Sequence, residues 1–92
     1  MPQVQLPQLL RPAAGGERVV AAAGTTVRDV IGDLERRYPG FAERVLDEQT
    51  GELVRYINVY ANDEDVRYCQ GLDTPVAEDD VIAFLPAVAG GR

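Results

Sequence analysis

The sequence predicts an α+β roll, in which a mixed sheet of four or five short strands packs on one main helix. Three observations carry that expectation. Strand-like segments lie near both ends of the chain: VQLPQLL (4–10), whose first residues alternate apolar and polar, and the short apolar run VIAFLP (81–86). One segment, TTVRDVIGDLERRYPG (25–40), has helical periodicity instead. The stretch VRYINVYAND (54–63) is rich in β-branched and aromatic residues and runs into turn residues. At 92 residues there is room for one domain, and 46% apolar residues suffice for a modest core.

Each element has a local reason. Val4 and Leu6 alternate with Gln3 and Gln5, which suits a half-buried first strand that Pro7 confines to an edge or ends. RPAAGG (11–16) is turn chemistry, and ERVVAAA (17–23) returns as the second strand of a hairpin. In the helix Val27, Val30, Ile31, Leu34 and Tyr38 form one stripe, Thr26 with Asp29 matches a capping box, and Tyr38-Pro39-Gly40 stops the helix. Gly32 weakens that helix, as if to let a neighbour approach. FAERVLDEQTGEL (41–53) fits either a short helical turn or a surface loop. NDED (62–65) turns the chain, and Val66-Arg67-Tyr68 is expected to begin a short return strand. LDTPVAEDD (72–80) is acidic loop. The last strand puts Ile82 and Phe84 on one face and Val81, Ala83 and Leu85 on the other, so Leu85 points outward if the first pair faces the helix.

Composition narrows the function classes. The net charge of −6 opposes binding to a nucleic-acid backbone, and no apolar run reaches the ~20 residues of a membrane span. The N-terminus lacks the basic start and apolar stretch of a secretory signal, so the expected location is the cytoplasm. Histidine and serine are absent, which removes the usual general base, the commonest metal ligand and any serine nucleophile. All nine cations are arginine. Genomic bias accounts for that, as does selection against amines in a protein whose own C-terminus becomes activated. Cys69 stands alone, with no disulfide partner, and is expected to be an incidental thiol. Asp63, Glu64 and Asp65, with Asp79 and Asp80, lack the ligand spacing of a calcium loop and are expected to be solvated turns, so no metal site is expected. No glycine-rich phosphate loop precedes the helix.

The C-terminus is the remaining candidate. Residues 87–92, Ala-Val-Ala-Gly-Gly-Arg, follow the last strand as an expected flexible tail on a domain spanning 1–86. From Pro86 to Gly91 the chain can reach ~20 Å, and its side chains shrink toward a tip that lacks Cβ, as suits passage through a narrow channel.

NVYANDEDVRY (58–68), the helix opening and DDVIAFLPAVAGG (79–91) together resemble the ThiS/MoaD family of ubiquitin-like sulfur carrier proteins. Within that family LLRP, DLERRYPG and PAVAGG look most like the carrier of a cysteine-forming pathway. The resemblance implies a β-grasp fold and a protein co-substrate rather than an enzyme. It binds no cofactor of its own. An E1-like adenylating enzyme uses ATP to activate the carboxylate of Gly91, and sulfur displaces AMP to leave a thiocarboxylate there. Gly90 gives reach, Leu85 docks on the activating enzyme, and Pro86, Ala87, Val88 and Ala89 form a guided stem. The implied acceptor is a pyridoxal-phosphate enzyme of the cysteine synthase type, holding an aminoacrylate. A zinc metalloprotease then releases cysteine from the Gly91 amide. Arg92 departs from the family pattern and has to be removed before Gly91 can be adenylated, and the same protease is a candidate for that step. The alternatives are a molybdopterin synthase small subunit, a ubiquitin-like modifier, or an interaction domain with an inert tail.

Overall fold

The computed structural model describes residues 1–87. Five strands form one mixed sheet: β1 (Gln3–Gln5), β2 (Val19–Ala21), β3 (Ile57–Ala61), β4 (Glu64–Asp65) and β5 (Val81–Pro86). Their spatial order is β2-β1-β5-β3-β4, with β1 and β5 parallel and all other neighbours antiparallel. Two helices, α1 (Val27–Arg37) and α2 (Phe41–Val45), cover one face. Among the described residues no helix is long and apolar enough to cross a membrane.

The core follows from the alternation in the strands. Val4, Val20, Ile57, Val59, Ile82 and Phe84 are buried on the covered face, against Val27, Val30, Ile31 and Leu34 of α1. Phe41 of α2 meets Phe84 edge-on at 5.9 Å between centroids, a contact worth ~0.5–1.5 kcal/mol beyond the area it buries. The second half of β5 is thereby seated on α2.

Four local expectations are corrected. The first strand ends at Gln5, before Pro7, and is an interior strand and not an edge, and Gln8–Ala14 wind into a 3-10 helix in place of the plain turn expected over 11–16. Its spacing places Leu10 and Ala14 in the core, and Gly15 and Gly16 then reverse the chain at positive φ. The return strand after β3 is Glu64–Asp65, not Val66–Tyr68. Asn62 and Asp63, at φ 51° and 74°, complete a tight two-residue turn, so pairing resumes at once. Val66–Tyr68 is a 3-10 turn capped by Asp65.

The capping box of α1 is only half formed. Thr26 Oγ1 accepts from the Asp29 amide at 3.1 Å, but the Asp29 carboxylate accepts from the amide and hydroxyl of Thr25. Gly32 has open space where a Cβ would stand, so no neighbour approaches it. The close approach is at Gly24, where a Cβ would lie 2.6 Å from Asp29 Cβ. In 41–53 the chain forms the short helix α2, then a bridge between Leu46 and Leu53.

One carboxylate is structural. Asp33 in α1, only 9% exposed, accepts from the Ala23 amide at 3.0 Å and pairs with Arg36 at 2.6 Å and Arg37 at 3.2 Å. Arg37 also donates to the carbonyl of Ala21. Asp33 therefore ties the β2 exit to the helix. The Ala23 hydrogen bond, with help from Arg37 and Arg36, holds its carboxyl below the ordinary range.

Candidate functional site

The site expected from the sequence begins at the end of β5. Ile82 and Phe84 are fully buried, as the alternation requires, and Leu85 stands 45% exposed on the opposite, uncovered face. Pro86 is exposed and pairs with Ile57 across the sheet. Ala87 is half-buried, and its amide donates to the Tyr56 carbonyl at 2.8 Å. Val88, Ala89, Gly90, Gly91 and Arg92 lie outside the described residues.

The uncovered face around Leu85 is built from the other halves of the same strands. Register places Leu85 opposite Asn58, and Ala83 between Gln5 and Tyr60, with Val19 beyond Gln5 on β2. A shallow groove of about 350 Å³ runs beside Leu85, between Pro7, Arg11, Arg18 and Val19. The surface is mixed and shallow, with Leu85 and Val19 standing among Asn58, Gln5 and Tyr60, a form suited to a partner protein rather than to an enclosed small molecule.

Among the described residues the pairing of β1 with β5 ends at Ala83, so Leu85 to Ala87 take their sheet partners from the start of β3 and from Tyr56. That start is in turn clamped by Arg67, whose guanidinium donates to Asn58 Oδ1 at 2.8 Å, the Val54 carbonyl at 2.8 Å and the Ile57 carbonyl at 2.9 Å. Neither Arg67 nor Tyr56 is singled out by sequence reasoning, because both contacts depend on strand register. The adjacency of Val66-Arg67-Tyr68 to the β3–β4 turn is the only signal.

The other sequence candidates lie elsewhere. Cys69 is exposed, with Sγ 3.6 Å from the Asp65 carbonyl oxygen, at the β4 side of the sheet. Asp65 accepts from the Arg67 amide. Asp80 accepts from the Ala77 amide at 2.8 Å and from Asn62 Nδ2 at 2.7 Å, and these bonds hold its carboxyl below the ordinary range. Both act as turn caps. Among the described residues no group of three or more histidine, cysteine, aspartate or glutamate side chains is placed to hold a metal ion.

Comparison with known proteins agrees with this architecture. The ThiS family model matches residues 4–91. The sulfur carrier protein CysO of Mycobacterium tuberculosis is 49% identical over 89 residues, covering 96% of each chain. The crystal structure of Mycobacterium tuberculosis CysO superposes with a TM-score of 0.92 at 46% identity, covering 96% of this chain and 100% of that one. A chain of the crystal structure of the Amycolatopsis orientalis BexX/CysO complex gives a TM-score of 0.89 at 46% identity, covering 99% of this chain and 100% of that one. The fold is thus the β-grasp, ubiquitin-like roll. With the family match running nearly end to end, the chain belongs to the ThiS family.

Proposed function

We propose that the protein is a sulfur carrier in which residues 1–86 form the docking domain and residues 87–92 the working tail. The observation that carries this reading is the family match through residue 91, joined to a last strand whose Leu85 lies exposed where the tail begins.

The chemistry follows from the reactivity of a carboxylate. A carboxylate resists nucleophiles, so the Gly91 carboxylate first attacks the α-phosphate of ATP on an E1-like enzyme, releasing pyrophosphate and forming an acyl adenylate. Hydrosulfide delivered by a sulfur donor then attacks the acyl carbon, AMP leaves with the bonding pair, and a thiocarboxylate remains on Gly91. Its sulfur is a competent nucleophile near neutral pH. The domain supplies an address, through Leu85 and the face around it, while Pro86, Ala87, Val88 and Ala89 span the distance to another protein's active site. Gly90 lets the tip enter without a Cβ.

Identity to CysO supports the cysteine-forming branch of the family as the destination. In that branch the acceptor is an aminoacrylate on a pyridoxal-phosphate enzyme, and an S-to-N shift gives a Gly91–cysteine amide that a zinc metalloprotease cleaves. The Gly91–Arg92 amide is the same kind of one-residue extension, so the same protease is the candidate for maturation. The existence of a BexX/CysO complex among the relatives supports a role exercised through partner proteins.

The test is reconstitution. Protein ending at Gly91 is incubated with an E1-like adenylating enzyme, ATP and sulfide, and its intact mass is followed. Replacement of one oxygen by sulfur at the C-terminus is expected, with Arg92-containing protein unchanged. An unaltered mass for the Gly91-ending protein, with an enzyme that loads a ThiS-family relative in the same assay, overturns the reading.

A further inference from the structure

We infer that Arg67 is the positioning residue for the root of the C-terminal tail. Strand β4 pairs only with Tyr60 and Ala61, so the outer edge of β3 before Tyr60 has no strand beside it among the described residues. Arg67 occupies that place. Its backbone is fixed by the 3-10 turn after β4, where Val66 is fully buried and the Arg67 amide donates to Asp65 Oδ1 at 2.9 Å. From there the planar guanidinium reaches back along the edge, donating to Ile57 and Val54 carbonyls and to Asn58 Oδ1. A guanidinium presents several donors in a rigid fork, which a lysine ammonium cannot imitate at three separated acceptors.

The consequence is transmitted one strand inward. Ile57 and Asn58 pair with Pro86 and Leu85, and Tyr56, lying between Val54 and Ile57, accepts from the Ala87 amide. On the other side of β5, among the described residues, the pairing with β1 ends at Ala83. Arg67 thus orders the backbone that pairs with Leu85, Pro86 and Ala87 among the described residues, and so sets the direction of the chain at Ala87. Its effect on sulfur loading rests on the carrier reading; its effect on the tail root does not. A fixed chain direction at Ala87 brings the C-terminus to the adenylating centre more often per encounter, and Ile82 and Phe84, buried in the core, keep the Leu85 side chain on the outward face for docking.

Two measurements on R67Q separate these statements. Amide exchange of Ala87, followed by NMR on the full chain, is expected to quicken about tenfold or more as charge-assisted bonds to the β3 edge are lost, with Val59 and Ile82 keeping wild-type protection. In adenylation of Gly91-ending protein, kcat is expected to fall about tenfold with KM within about twofold of wild type. R67K keeps the charge but not the fork, and is expected to behave like R67Q. It also supplies the comparison if R67Q does not fold. Wild-type exchange at Ala87 in either variant overturns the inference, as does a loss carried by KM alone. If wild-type protein is never adenylated the carrier reading fails, and exchange at Ala87 still decides the role of Arg67.

Discussion

Replacing Gly24 with alanine is expected to cost more stability than a methyl added to any other glycine among the described residues. Gly24 sits at φ +153° immediately before α1, and a Cβ there would lie 2.6 Å from Asp29 Cβ, 2.8 Å from the Val30 nitrogen and 3.0 Å from the Asp29 carbonyl carbon. These are atoms of the first helical turn, not the ends of movable side chains. The turn cannot retreat, because Thr26 caps it through the Asp29 and Val30 amides and because Val27 and Val30 are fully buried. Overpacking of this kind costs ~1–3 kcal/mol, and an alanine in a glycine-favoured backbone conformation adds ~1–2 kcal/mol. The total, about 2–5 kcal/mol, is a large part of the ~5–15 kcal/mol that holds a domain folded, and lowers the thermal midpoint by about 10–30 °C. Gly32→Ala is the control: nothing lies within 4 Å of its Cβ position, so it is expected to gain up to ~1 kcal/mol of helix propensity. Circular dichroism through urea and thermal unfolding reads both. A Gly24→Ala midpoint within about 0.5 kcal/mol of wild type would refute the packing argument.

Stability is expected to be level from neutral pH to about pH 5 and to fall below it. Asp33, Glu35 and Asp80 have folded-state pKa values lowered chiefly by backbone amides, so the stability they contribute is present above their unfolded values and lost as pH drops through the folded ones. D33N loses part of this at neutral pH, about 1–3 kcal/mol, and its thermal midpoint should decline less steeply with acid; a parallel decline would remove Asp33 from the account. L85R should leave the urea midpoint within about 0.5 kcal/mol of wild type, because Leu85 projects outward, yet lower kcat/KM for adenylation by about tenfold or more. Unchanged adenylation would move docking to another surface. Cys69→Ala is expected to leave sulfur loading at the wild-type rate in the reconstituted assay, since Cys69 sits beside β4, with β3 between that strand and β5. A loss of loading there would give that thiol a part in transfer.

The residues that periodicity governs were legible in the sequence. The stripe Val27, Val30, Ile31, Leu34 and the alternation around Ile82 and Phe84 each follow from one element burying one face, and they place Leu85 outward before any fold is known. What was not legible depends on register or on backbone geometry. Leu6, Leu10 and Ala14 are buried at helical spacing, but Pro7 and Pro12 make the stretch look like strand and turn. Val66-Arg67-Tyr68 has strand composition and becomes a 3-10 turn because Asn62 and Asp63 close the hairpin two residues earlier. Gly24 and Gly32 look alike in a string of letters, and only the path of the chain before α1 separates the crowded one from the open one. For the same reason Arg67 reads as a surface charge until β3 and β5 are in register.

The central claim is that Gly91 carries sulfur, and the intact mass of the protein recovered from its own cells tests it most directly. The account predicts a chain ending at Gly91 with one oxygen replaced by sulfur during sulfur-replete growth. A chain that keeps Arg92 throughout and bears no adduct under the same growth would contradict it.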